Sequence, residues 1–235
     1  LPTIGLKKRS DIGGLFLKER RGARACMAES NALAEAGETR TGNPLQDRKF
    51  IFREHTRETI AHLYNHPCIV AYTIFNEGWG QFDSDSFYEE VKDLDPTRLI
   101  DSTSGWFAQK KSDFDSEHVY FRAETLQPKV RPMFLSECGG FSLAVEGHRF
   151  NTEKSYGYGA CKDKEELTER ILEMYRKMVL PAIEKGLCGC VYTQLSDVED
   201  EVNGLYTYER ESKFDISVIR KINQQTAAIE MENVE

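Results

Sequence analysis

Two glutamates, Glu77 and Glu137, each follow an apolar run and precede a glycine-containing turn, in Ile74-Phe75-Asn76-Glu77-Gly78-Trp79 and Phe134-Leu135-Ser136-Glu137-Cys138-Gly139. A carboxylate that ends a buried strand at a glycine-rich turn is placed to act on a bound molecule. Two such carboxylates facing each other across a cleft suit cleavage of a glycosidic bond. One protonates the departing oxygen, and the other attacks the anomeric carbon or activates water. A separation of roughly 5 to 5.5 Å gives retention, and about 6.5 to 9.5 Å gives inversion. For either glutamate alone, the ordinary alternative is a capping or ion-paired residue in a turn.

The elements that would position this pair can be followed along the chain. Residues 1–49 are punctuated by Gly13, Gly14, Gly22, Gly37, Gly42 and Pro44 and lack strong periodicity, so they are expected to be a long irregular segment. Apolar spacing predicts a helix over 50–64, and Cys68–Phe75 reads as a strand buried on both faces. A helix over 84–94 closes at Asp95-Pro96. Short strands follow at 98–104, 115–121 and 132–137. A long loop over 141–159 leads to an amphipathic helix at 164–184, a strand at 187–193 and a last helix from Phe214 to about Ile229. Alternating helices and short apolar strands predict an α/β fold with a parallel sheet over 50–235. Polar residues gather at successive strand ends, at Asn76 and Glu77, Ser104 to Trp106, His118 to Tyr120, Ser136 and Glu137, and Gln194 to Asp197. In a (β/α)8 barrel, that is the face that carries active sites.

Composition narrows the field. A formal charge of −8 argues against a nucleic-acid partner. No apolar stretch reaches the roughly 18 residues that a membrane-spanning helix needs. The six cysteines show no metal-type spacing, and Cys68, Cys188 and Cys190 lie in apolar runs, so reduced structural thiols and a cytoplasmic location are expected. Cys188 and Cys190, two apart on a strand, would share one face.

The two glutamate motifs, 60 positions apart, resemble the acid/base and nucleophile strands of glycoside hydrolase family 2, the β-galactosidases, β-glucuronidases and β-mannosidases. Asp95-Pro-Thr-Arg-Leu-Ile-Asp101, Ser104-Gly-Trp106 and Tyr192-Thr-Gln-Leu-Ser-Asp-Val-Glu-Asp-Glu201 are similar to its bacterial members. The resemblance runs from about residue 50 to about residue 210. It implies the C-terminal part of a catalytic (β/α)8 TIM barrel, with strands 4 to 8 present, and a retaining, β-galactosidase-like activity without a cofactor. It makes Glu77 the general acid/base and Glu137 the nucleophile, with Asn76 on the sugar 2-hydroxyl and Tyr120 restraining the nucleophile.

Trp79 and Trp106 are candidate sugar platforms, with core packing as the alternative for each. His118 could meet a sugar hydroxyl or satisfy a backbone carbonyl. Gln194 and Asp197 begin an acidic stretch that ordinarily reads as a solvated loop, but which could contact sugar or a bridging cation; His148 and Tyr156 are placed to reach the leaving-group side. Barrel strands 1 to 3 and the domains that precede them in the family are not seen in the sequence. The expected partners are therefore a carbohydrate substrate and, to cover an open barrel, N-terminal domains or a second copy of the chain. The isolated chain is expected to be weakly active or inactive. The alternative function is a non-catalytic carbohydrate-binding or self-assembling barrel fragment.

Overall fold

A computed structural model of the chain describes residues 4–6, 44–76 and 81–232. In order, the elements are β1 (Ile4–Leu6), α1 (Pro44–Leu63), β2 (Ala71–Phe75), α2 (Ser84–Leu94), β3 (Leu99–Thr103), β4 (Asp115–Tyr120), β5 (Met133–Gly139), α3 (Lys164–Met174), a π-helical stretch (Tyr175–Val179), α4 (Leu180–Ile183), β6 (Leu187–Thr193) and α5 (Ile216–Glu232). They fall into two compact units, which divide between Ser116 and Glu117, with β1 belonging to the second. Helix α1 starts six residues before the expected position, so the irregular segment assigned to 1–49 ends early. Most of that segment lies outside the described residues, as do Glu77 and Trp79.

In the first unit, β2 and β3 run parallel, in register from Ala71 opposite Leu99 to Phe75 opposite Thr103, with α2 as the crossover between them. A parallel pair needs such a crossover, and the 3.6-residue spacing of Phe87 and Val91 directs one face of α2 onto the sheet. Ile60, Tyr72, Ile74, Phe75, Phe87, Val91 and Ile100 form the core, and Phe52 of α1 stacks on Phe75 with ring centroids 5.2 Å apart. Strand β2 is buried fully on the face of Tyr72 and Ile74; on the other face Ala71 and Thr73 are half-buried and Phe75, at the C-terminal end, is buried. Asp95 finishes α2 by accepting from the backbone and hydroxyl of Thr97, from the Tyr72 hydroxyl at 3.1 Å and from Arg98 at 2.9 Å.

The second unit holds a four-stranded sheet in the order β1-β6-β5-β4. Strands β1 and β5 both pair parallel to β6. The three-residue β1 was not expected, being too short to show an alternation. The sheet packs on the helical run that begins at α3, through Leu135, Cys138, Leu167, Ile171, Met174, Tyr175, Val179 and Cys190. Asp163 caps α3 by accepting from the Glu166 backbone at 2.8 Å. The expected continuous helix over 164–184 contains the π-helical stretch instead. Pro181 offers no N–H to the preceding turn, and just before it the Leu180 N–H reaches back five residues to Tyr175 O, the bond that defines a π turn.

The pairing of β5 with β6 shifts register twice, near its start and again between Leu135 and Cys138, around Glu137. Met133 faces Leu187, but Phe134 faces Gly189, which leaves Cys188 bulged out of the ladder. Cys188 is therefore exposed while Cys190 is buried, and the two do not share a face. Cys68 is exposed as well, outside the apolar run assigned to it.

Candidate active site

Because its strands are parallel, the second unit presents the C-terminal ends of neighbouring β5 and β6 at the same edge of the sheet, and the end of β4 beside them. Glu137, near the end of β5, is 1% exposed. The Tyr120 hydroxyl donates to its Oε2 from β4, and the Thr193 hydroxyl approaches the same oxygen from β6 at 3.4 Å. His118, two residues before Tyr120 and so on the same face of β4, places Nε2 3.8 Å from Glu137 Oε1. His118 thus meets the carboxylate rather than serving only a backbone carbonyl. Thr193 was not singled out in the sequence. Its signal is positional, as the residue that ends a strand beside Gly139.

Glycines shape the turn after Glu137. Gly139 and Gly140 have φ of +84° and +67°, and a Cβ on Gly140 would sit 2.5 Å from Tyr158 Cδ2 and 3.2 Å from Tyr120 Cδ1. The missing side chain at Gly140 lets the Tyr158 ring lie flat on Tyr120, with centroids 3.8 Å apart and planes 7° from parallel, while a Cβ on Gly139 would instead strike the Tyr192 ring.

Gln194 and Asp197 are both buried. Gln194 follows a cis peptide bond from Thr193 and donates its amide to Asn203 at 2.8 Å; Asn203 in turn donates to Glu201 at 3.2 Å. The solvated-loop reading fails for Asp197 and Glu201, which are 1% and 3% exposed. Lys213 stands where a bridging cation was considered. Its ammonium donates to Asp197 Oδ1 at 2.7 Å and to the carbonyls of Leu143 and Val202 at 2.8 and 2.9 Å. Burial pushes the Asp197 carboxyl above its ordinary range and the Lys213 ammonium below its own, each against the pull of the other charge. Asp197 Oδ1 also accepts from the Gly204 backbone at 2.9 Å. This residue, assigned to substrate on sequence grounds, is thus engaged in closing its own loop. Among the described residues, no group of three or more His, Cys, Asp or Glu side chains is arranged to hold a metal ion, and no helix is long and apolar enough to cross a membrane.

In the first unit, Asn76 follows β2 directly and its backbone carbonyl accepts from the Gln81 amide at 3.1 Å. Trp106 follows β3 through Gly105, whose φ is +81°, and is 54% exposed, which removes the core-packing alternative for this residue. Ser104 ties the ends of the two strands by donating its backbone N–H to Phe75 O at 2.8 Å.

Comparison with known proteins places the chain in a family. A search of curated proteins finds no match. Among solved structures, the apo structure of Bacteroides uniformis beta-glucuronidase 3 is similar, with 14% identity and a TM-score of 0.48 over 86% of this chain; the chain spans 34% of that one. A family model described as glycosyl hydrolases family 2, TIM barrel domain, matches residues 10–137, more than half of the chain and ending on Glu137 itself. The chain is part of a TIM barrel and belongs to glycosyl hydrolase family 2.

Proposed function

We propose that the protein is a retaining glycoside hydrolase acting on β-glycosides, β-galactosides first among them, with Glu137 as nucleophile and Glu77 as general acid/base. The observation that carries the proposal is the buried Glu137 carboxylate at a strand end, met by the hydroxyls of Tyr120 and Thr193 and faced by His118. A nucleophilic carboxylate must stay ionised although buried, and hydroxyl donors favour that charged form.

In the first step, a Glu137 oxygen bonds to the anomeric carbon as the bond to the leaving oxygen breaks. That oxygen keeps the electron pair and takes the proton of Glu77. In the second, Glu77 accepts a proton from water, the water oxygen bonds to the anomeric carbon, and the ester to Glu137 breaks with its electron pair returning to the carboxylate. Two inversions give net retention. Asn76 is assigned to the sugar 2-hydroxyl, and Trp106, exposed after β3, to a sugar face. Gln194, held by Asn203, is available to a hydroxyl only if that bond is exchanged.

The test is covalent trapping, which needs a single turnover. The chain is treated with 2,4-dinitrophenyl 2-deoxy-2-fluoro-β-glycosides of galactose, glucuronic acid and mannose, and the labelled peptide is identified by mass spectrometry. A glycosyl adduct on Glu137, absent in E137Q, is expected. Trapping at another residue, or sugar binding with no trapping by any of the three, would place the chain among non-catalytic carbohydrate-binding modules instead.

A further inference from the structure

Beyond the carboxylate, the same end of the second unit carries an aromatic rim that the chemistry above does not use. We infer that Phe121, Tyr156 and Tyr158 form a leaving-group subsite that takes a flat aromatic ring; this rests on the assignment of Glu137 as nucleophile.

Phe121 is the residue directly after Tyr120. It is a bulky aromatic held at φ +67°, in the left-handed region that side chains with a Cβ rarely adopt, and it is 67% exposed. The Arg122 N–H donates to Tyr120 O at 2.7 Å, which closes a three-residue turn with Phe121 at its tip. A strained backbone that turns a large apolar ring outward gains nothing from core packing, and such strain gathers at binding sites. The Phe121 ring meets Tyr158 edge-on at 5.5 Å, and Tyr156 meets Tyr158 edge-on at 5.4 Å.

Tyr158 connects this rim to the chemistry. It stacks flat on Tyr120, whose hydroxyl donates to Glu137. The backbone that carries Tyr156 and Tyr158 is also tied down. Tyr158 N–H donates to Gly140 O at 2.8 Å, Tyr156 N–H donates to Asp200 O at 2.7 Å, and Tyr156 O accepts from Val202 N–H at 2.9 Å.

Depth along this path identifies the occupant. Glu137 and Tyr120 are 1% and 6% exposed, Tyr158 is half-buried, and Tyr156 and Phe121 are 48% and 67% exposed. The sugar attacked at its anomeric carbon belongs at the buried end, against Glu137. The group that departs to solvent belongs at the exposed end. Rings set edge to face offer an aromatic guest the offset and T-shaped contacts that aromatic pairs prefer.

The experiment compares two trapping reagents that share a sugar and differ in leaving group, 2,4-dinitrophenyl 2-deoxy-2-fluoro-β-D-galactoside and 2-deoxy-2-fluoro-β-D-galactosyl fluoride. Phe121→Asn removes the ring with a residue that tolerates positive φ. Tyr156→Ala removes a second ring at a position without that constraint. In each variant, the ratio of the aryl to the fluoride trapping rate on Glu137 is expected to fall about 3- to 10-fold. An unchanged ratio in both variants overturns the subsite, whether or not both rates fall together, because a purely structural loss moves the two reagents alike. Absence of trapping in the unsubstituted chain by these reagents and by their glucuronic acid and mannose counterparts removes the nucleophile assignment itself, and the subsite with it. Lactose protecting Glu137 from the fluoride reagent as well as phenyl β-D-galactoside does would make the occupant a second sugar and overturn the aromatic assignment.

Discussion

The Tyr120 hydroxyl donates to Glu137 Oε2 across neighbouring strands of one sheet, so the position of the carboxylate is set by the strand beside it. A hydrogen bond to a charged group is worth about 1.5 to 3 kcal/mol. Tyr120→Phe keeps the ring and its stack on Tyr158 and removes only that donor. Trapping of Glu137 should slow by about 10- to 100-fold at temperatures where the variant is still fully folded, with the thermal midpoint lowered by several degrees. A trapping rate within twofold of the unsubstituted chain would show that the hydroxyl does not support the nucleophile.

Gly140 lets the Tyr158 and Tyr120 rings meet by having no side chain. Gly140→Ala places a Cβ against Tyr158 and asks alanine to adopt φ +67°. The strain alone should cost about 1 to 3 kcal/mol, read as a lowered urea midpoint. The displaced Tyr158 ring should also lose its stack on Tyr120, so trapping of Glu137 should slow more than the stability loss alone predicts.

Lys213 and Asp197 form an ion pair with both side chains at most 2% exposed. Lys213→Met leaves a carboxylate buried opposite nothing that can balance it, and breaking such a pair from one side costs about 3 to 5 kcal/mol. Urea unfolding should show that loss in K213M and a partial recovery in K213M/D197L, where no charge is left behind. A smaller loss in the single variant than in the double would contradict the pairing.

The Tyr72 and Asp95 pair makes the first unit sensitive to pH at both ends. Burial, and then the hydrogen bond to Asp95, push the Tyr72 phenol up to about 12. Its folded value is raised, so its contribution to stability is complete below the ordinary tyrosine value and is lost as pH rises through about 12. Asp95 behaves in the opposite sense. Burial raises its carboxyl, but donors from Thr97 and Tyr72 and the Arg98 charge outweigh burial and hold it below the ordinary aspartate range. That contribution is complete above the unfolded aspartate value and is lost as pH falls through the depressed one. Tyr72→Phe should remove the phenol that titrates at about 12 from the ultraviolet titration, and Asp95→Asn should flatten the acid limb of the stability profile.

Helix α2 and strand β6 lie at the positions their apolar spacing predicts, because each is set by local pattern together with the turn that ends it. The strand ends, and so Glu137, Tyr120 and His118, were legible for the same reason: in a parallel sheet the residues that close the strands share one edge. What escaped was non-local. Lys213 sits in a charged run, Glu209-Arg-Glu-Ser-Lys213, and nothing nearby shows that its ammonium folds inward onto Asp197, 16 residues earlier. The bulge at Cys188 depends on register against β5, which the period-two pattern of one strand does not encode. The left-handed turn at Phe121 carries no glycine or asparagine to announce it.

The segment from Phe141 to Ala160 is joined at both ends and in its middle. Ser142 N–H bonds Gly159 O at 3.0 Å, Cys161 N–H bonds Ser142 O at 2.7 Å, and Tyr156 is held to both Asp200 and Val202. A ring arriving at Tyr158 therefore meets a surface whose conformational entropy was spent when the chain folded. Discrimination among leaving groups at this rim should appear as differences in residence time rather than as a slow, ligand-dependent ordering of the loop.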